Sequence, residues 1–360
     1  MSRFAHKLCC FIPLFLAIAT FNHAMFRGTN GSLAWIEDKV ALIHHSGKAA
    51  IVSHEVFGAL SYHQRRALDP EIHPDAVALG SSRSDYIRSK YMGGKTLYNC
   101  SVNAGQLDDF IDFYTRFATK KSTPHEFIVE ASPFSLPQPL EKVLPRIQES
   151  LARIGLDMDF NRLVKEPATH FAPAAPAEIE WQTQVQMHFS PTYFQHALDG
   201  LYQNSLVEPL SGSSLSVSEH VVFVDGSREY SARMRDKPQA AVREFVNYHI
   251  GISMPKPFES CPEESKRAYE GFLDLLLARG ERVTLYLPPY HPMFFEAAHK
   301  DGKDCLIKFE AYFRSLAQAR GIPVIGGYDP AKTGCTEDDL FDFHHPRESG
   351  MDKVFKDFKP

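Results

Sequence analysis

Two hydrophobic patterns alternate along this chain. The first is a short apolar run with no polar interruption, as at Ala76–Leu79, which is how a strand buried on both faces of a parallel sheet reads. Further strands are predicted at residues 96–101, 126–131, 282–287 and 322–325. The second pattern repeats apolar residues every three or four positions, the period of a helix with one buried stripe. It runs over residues 107–119 through Phe110, Phe113 and Phe117, and over 263–279 through Tyr269, Phe272, Leu273 and Leu276. Further helices are predicted at 85–91, 140–154, 305–320 and 349–358.

Strands joined in turn by helices predict an α/β fold with a parallel sheet of about five strands, arranged as a flavodoxin-like three-layer α/β/α sandwich. Residues 155–262 break the alternation. They hold a Pro-Ala stretch at 172–177, a serine-rich loop at 211–218, and Val221 to Gly226 as a strand entering a turn. This region reads as a large insertion at the active-site edge of the sheet, either shaping substrate choice or serving only as a structural cap. Residues 27–68 read as a linker and helical lead-in, and 69–360 as the α/β body. At the start, Arg3 and Lys7 precede an apolar run from Leu8 to Phe21. That run is shorter than the ~20 residues of a comfortable span, but counting on to Phe26 makes one feasible. Residues 1–26 are therefore a signal anchor or a signal peptide, with the body expected outside the cytoplasm: periplasmic and tethered to a bacterial inner membrane, or secreted if the segment is cleaved.

Composition narrows the function. A net charge of -5 and the lack of a Lys/Arg cluster with interleaved aromatics argue against a nucleic-acid partner. The chain is rich in Phe (27) and Tyr (14); most of these belong to a core, but aromatic rings also suit a carbohydrate cleft. The 6 cysteines and 17 histidines form no zinc or metalloprotease spacing, so neither a metal nor another cofactor is expected. In an extracytoplasmic body a Cys305–Cys335 or Cys261–Cys305 bridge is possible.

The chemistry lies at two places far apart in the chain. The run Ala76–Leu79 stops at Gly80 and is followed directly by Ser81, Ser82 and Arg83. Ligands of open α/β sheets bind just past the carboxyl ends of the strands, so a serine at such a turn is well placed to be a nucleophile. By itself the stretch reads equally as a Gly-Ser turn with Ser84 or Asp85 capping a helix. Near the other end stand Asp342 and His345, a carboxylate and an imidazole three residues apart.

Gly-x-Ser after the first strand with Asp-x-x-His near the C-terminus resembles the SGNH (GDSL-type) hydrolase superfamily. It is most similar to a membrane-anchored bacterial branch whose first block reads Gly-Ser-Ser-Arg and which is associated with cell-surface polysaccharide modification. The resemblance implies Ser82 as nucleophile, His345 as general base and Asp342 as the carboxylate that orients it. It also implies an oxyanion hole from the backbone N–H groups of Ser82 and Gly105. The third family block, Gly-x-Asn-Asp, is replaced here by Glu130-Ala131-Ser132-Pro133. The Asn that completes the hole is absent, leaving Ser132 or Asn103 as substitutes. Arg83, Tyr290 and His291, all at strand ends, are expected to bind substrate, with Arg83 alternatively pairing with a local carboxylate. The function implied is a serine-dependent esterase or O-acyltransferase acting on acyl esters of an exported polysaccharide. The alternative is a non-catalytic, membrane-tethered glycan-binding or assembly protein on the same fold.

Overall fold

A computed structural model of the 360-residue chain describes residues 13–14, 16–20, 34–53, 57–120, 124–136, 139–158, 171–172, 207–211, 219–253, 261–300 and 304–360. The chain divides into two units, residues 1–62 with 177–224 and residues 63–176 with 225–360.

In the first unit the strand Ala50–Ser53 pairs antiparallel with both Val207–Pro209 and Glu219–Val222. The helix Ala34–His45 places Ile36, Val40 and Ile43 against Val52, Val207 and Val222, an i, i+4, i+7 stripe that buries one face. Residues expected to act as linker and insertion thus form a small core of their own. Residues 1–12, 15 and 21–33 of the N-terminal region, and 212–218 of the serine-rich loop, lie outside the described residues. Among the described residues no helix is long and apolar enough to cross a membrane.

The second unit is an α/β structure built on a parallel sheet of five strands: β1 (Ala76–Leu79), β2 (Leu97–Asn99), β3 (Glu126–Glu130), β4 (Arg282–Leu287) and β5 (Val324–Gly326). Their order in space is β2-β1-β3-β4-β5, with Ala78 paired to both Asn99 and Ile128, and Leu285 to both Val129 and Val324. Every residue of β1, β2 and β3 is buried, as their near-continuous apolar sequences require. On one face Phe127 meets Tyr114 of the helix Leu107–Ala118, and Tyr114 in turn meets Phe272 of the helix Glu263–Ala278. On the other, Ala76, Ala78, Ile128 and Tyr286 pack with Met351, Val354 and Phe355 near the C-terminus.

The helix expected at 85–91 is absent; two short 3₁₀ turns, Ser82–Ser84 and Ser89–Tyr91, stand there instead. Carbonyls of this segment are taken from outside it: Asn99, buried at the end of β2, donates its amide to those of Ser84 (2.8 Å) and Ile87 (2.9 Å), and the Arg228 N–H donates to that of Asp85 (2.9 Å), which competes with the i+4 bonds of a helix. The disulfides considered from sequence are also absent: Cys100, Cys261, Cys305 and Cys335 are buried free thiols.

Candidate active site

Ser82 follows β1, and Glu130 closes β3 beside it. Strand order reverses between these two strands, and this crevice at the carboxyl edge is where open α/β sheets hold ligands. The turn is built on a buried carboxylate. Glu130 accepts from the Ser81 N–H (2.7 Å), the Ser81 hydroxyl (2.8 Å) and the Ser84 hydroxyl (2.9 Å). A side chain on Gly80 would lie 2.3 Å from the Ser84 Oγ, so only glycine lets the turn close over Glu130. The sequence reading passed over Glu130; its one signal is a carboxylate ending an otherwise apolar strand.

The far end of the chain folds back to meet this turn. Leu340 bridges Pro346, and the Phe341 N–H donates to the His345 carbonyl at 3.2 Å. Inside that loop Asp342 accepts from the backbone N–H groups of His344 (2.9 Å) and His345 (2.8 Å) and from His345 Nδ1 (2.6 Å). An ionised carboxylate only accepts, so Nδ1 carries the ring proton and Nε2 is left to accept from the Ser82 hydroxyl at 2.8 Å. Ser82, His345 and Asp342 thus form one continuous hydrogen-bonded chain across 263 residues of sequence. The imidazole lies parallel to the Phe341 ring, with centroids 5.5 Å apart, and Tyr230 flanks it at 5.8 Å, which fixes its plane. Burial alone would raise the pKa of Asp342. The charge and hydrogen bond of His345, helped by His344, outweigh it and hold the carboxyl well below the ordinary range. His344 beside it is kept neutral by burial and by the neighbouring imidazole of His345.

The other expected residues are placed differently. Arg83, Tyr290 and His291 are buried, and Arg83 takes the place beside a local carboxylate that its sequence also allowed. Arg83 donates to the Tyr290 hydroxyl at 2.9 Å, lies 4.8 Å from that ring's centre, and stands 3.8 Å from Glu130. His291 Nδ1 caps the helix Pro292–His299 by accepting from the Met293 N–H at 3.3 Å. Ser132 is buried with its hydroxyl engaged by Ser135 at 3.1 Å, and caps the following 3₁₀ turn. The N–H of Gly105 donates to the Val102 carbonyl at 3.1 Å, and a Cβ there would lie 2.5 Å from the Gly80 carbonyl oxygen. Gly105 therefore permits close approach of two strand ends, and its N–H is occupied. Only Asn103 of the proposed substitutes is exposed.

Two residues that the sequence reading missed come from the segment assigned to the insertion. Arg228 grips the buried Asp85 with Nε at 3.1 Å and Nη2 at 2.8 Å from Oδ1. Burial works against its charge, but the Asp85 carboxylate outweighs this and keeps the guanidinium protonated. Tyr230 donates to Asp85 at 2.7 Å, with its oxygen 3.0 Å from the Ser82 carbonyl. No motif marks these two, since they reach the site only through the fold.

Asp342, His344 and His345 each bring a possible ligand atom within 4.8 Å of the others. Both ring nitrogens of His345 are already engaged by Ser82 and Asp342, so a cation bound there would break one of these hydrogen bonds. A cavity of about 680 Å³ lined by Glu126, Arg282, Ile322 and Phe358 lies at the opposite, amino-terminal end of the strands, away from Ser82. Comparison with known proteins gives no match to a family model, to a curated protein or to a solved structure.

Proposed function

We propose that this chain is a serine-dependent acyl-ester hydrolase or O-acyltransferase of SGNH type. The observation that carries the reading is the unbroken chain from the Ser82 hydroxyl through His345 to Asp342, at the carboxyl edge of the sheet. Serine oxygen is a weak nucleophile unless a neighbouring base takes its proton. Here His345 Nε2 accepts it as Oγ attacks the acyl carbon, and Asp342 stabilises the imidazolium that forms. The proton then goes to the departing alkoxide, leaving an acyl-Ser82 that water or a sugar hydroxyl resolves. The strand order β2-β1-β3-β4-β5 supports a flavodoxin-like three-layer sandwich, whose sheets follow that order. An acylated exported glycan as substrate is supported by the Gly-Ser-Ser-Arg resemblance.

Incubation with a fluorophosphonate should give one adduct, mapped by mass spectrometry to Ser82 and missing from Ser82→Ala. A folded wild-type protein that takes up no label at any pH would overturn the reading. The charged start and apolar run of residues 1–26 support an anchor with the body outside the cytoplasm. The full-length protein expressed in bacteria should then sediment with membranes, and a phosphatase fused after Pro360 should be active. A soluble cytosolic product would sink that part of the proposal.

A further inference from the structure

An ester hydrolase needs donors aimed at the oxygen that becomes negative in the tetrahedral intermediate, and such donors supply much of the rate. In this site the third-block Asn is missing from the sequence, Ser132 is engaged by Ser135, and the Gly105 N–H is held by Val102. The loop after β2 carries a replacement. Strands β1 and β2 pair with Ala76 opposite Leu97, Val77 opposite Tyr98 and Ala78 opposite Asn99. Beyond the strands, Ser81 bridges Val102 in the same register. One step further along that register stand Ser82 and Asn103. Ser82 opens a 3₁₀ turn and Asn103 a loop, so both leave the sheet at the same carboxyl edge, from neighbouring strands, directly after the bridged pair Ser81 and Val102.

Three features fix the amide. Asn103 opens a turn closed by the Gly105 N–H on the Val102 carbonyl, and Ala104 within it has φ of 52°. A residue other than glycine in that left-handed region is uncommon, and such strain gathers at functional sites. Arg228 Nη2 donates to Asn103 Oδ1 at 3.1 Å. A guanidinium only donates, so the carbonyl end of the side chain faces Arg228 and the NH₂ end faces away. That NH₂ group has no partner among the described residues. Arg228 in turn is locked by its two-nitrogen grip on Asp85, which also receives the Tyr230 hydroxyl.

We infer that Asn103 is the side-chain oxyanion donor of this site, with Arg228 and Asp85 as its positioning residues. The inference rests on the serine-ester reading above. As Ser82 Oγ bonds to the acyl carbon and its proton passes to His345, the carbonyl π pair moves onto oxygen, and Asn103 Nδ2–H donates to that oxygen. When the pair returns and the alkoxide leaves with the proton from His345, the hydrogen bond relaxes. No further reactant is required.

The test is steady-state hydrolysis of p-nitrophenyl acetate by wild type, Asn103→Ala and Asn103→Asp, with melting temperature and fluorophosphonate labelling followed in parallel. Asn103→Ala should lower kcat by about 10²–10³ with little change in KM. Asn103→Asp discriminates roles: its carboxylate pairs with Arg228 at least as well as the amide does, so folding is preserved. It nevertheless removes the donor and sets a negative charge beside the oxyanion, so kcat should fall at least as far as in the alanine variant. Arg228→Lys, which keeps the charge against Asp85 but loses the fork, should lower kcat by less than Asn103→Ala. Near-wild-type kcat in Asn103→Ala, or in Asn103→Asp with an unchanged melting temperature, overturns the assignment. Failure of the underlying reading shows separately, as a wild-type protein that neither hydrolyses the ester nor labels at Ser82.

Discussion

Ser82→Ala should lower ester turnover by on the order of 10⁴–10⁶, and His345→Ala by a similar factor. The two changes together should cost little more than either alone, because nucleophile and base act as one unit across their 2.8 Å hydrogen bond. Asp342→Ala should cost less, on the order of 10⁴, since it removes the group that fixes the tautomer but leaves both reacting partners. Ser81→Ala tests the neighbour: its hydroxyl is turned inward to Glu130 at 2.8 Å, so labelling at Ser82 should persist. The rate should fall on acidification, because a protonated imidazole accepts nothing from Ser82. Asp342 is held below the ordinary carboxylate range despite its burial, so it stays charged while this happens. The sign for stability follows: the unfolded carboxyl takes up its proton near pH 4, before the folded one. The stabilisation by Asp342 is thus complete above about pH 4 and is lost as pH falls further. Initial rates of p-nitrophenyl acetate hydrolysis from pH 5 to 9 measure the first effect. Wild-type turnover in Ser82→Ala would remove Ser82 from the chemistry.

Glu130→Ala should be the most destabilising single change near the site, at about 3–5 kcal/mol. Glu130 is fully buried and answers the Ser81 N–H and the hydroxyls of Ser81 and Ser84. It is also the nearest carboxylate to the buried guanidinium of Arg83, at 3.8 Å. Truncation leaves that charge without its counter-charge and several donors unanswered, which is why the loss exceeds that of a cavity alone. Activity should fall with it, because the turn from Ser81 to Ser84 holds the nucleophile. Glu130→Gln, which keeps the shape and one acceptor, should cost about 1–3 kcal/mol. Adding Arg83→Met to Glu130→Leu should recover part of the loss, since removing both members of a buried pair is far milder than removing one. Urea midpoints of wild type and the four variants measure this. A Glu130→Ala protein as stable as wild type would contradict the supporting role given to this carboxylate. The contrast with Asp342→Ala is informative: Asp342 holds the imidazole of His345, whereas Glu130 holds the turn that carries Ser82.

Much of the sheet was legible because strands buried on both faces leave a direct mark. β1 at Ala76–Leu79 and β4 at Arg282–Leu287 fall where their apolar runs lie, as does the helix Cys305–Arg320. The last strand sits two residues later than its apolar run suggested, at Val324–Gly326, since pairing with β4 sets its start. The helix expected after Ser82 failed for a different reason: local propensity allowed it, but Asn99, distant in sequence, captured its carbonyls. Ser82, Asp342 and His345 could be named from sequence because each lies in a short block whose spacing is itself chemical. An imidazole three residues from a carboxylate in a tight loop can hardly avoid meeting it.

What sequence could not supply was anything held by partners without a motif. Arg228 and Tyr230 lie in a segment with no β-α rhythm, and their meaning comes from Asp85, more than 140 positions earlier. Arg83 reads either as a substrate cation at a strand end or as the partner of a local carboxylate, and only the fold identifies that carboxylate as Glu130, with Tyr290 beside it. The strand Ala50–Ser53 looked like part of a linker because its partners, Val207–Pro209 and Glu219–Val222, stand beyond the whole first half of the α/β body. The buried strands, the amphipathic helices and the Ser, His and Asp blocks of the site could be read from the chain because each depends on neighbours a few positions away. Tertiary structure alone decided which polar groups were buried, which donors stayed free and what oriented Asn103, because hydrogen bonds and ion pairs between distant segments leave no periodicity to read.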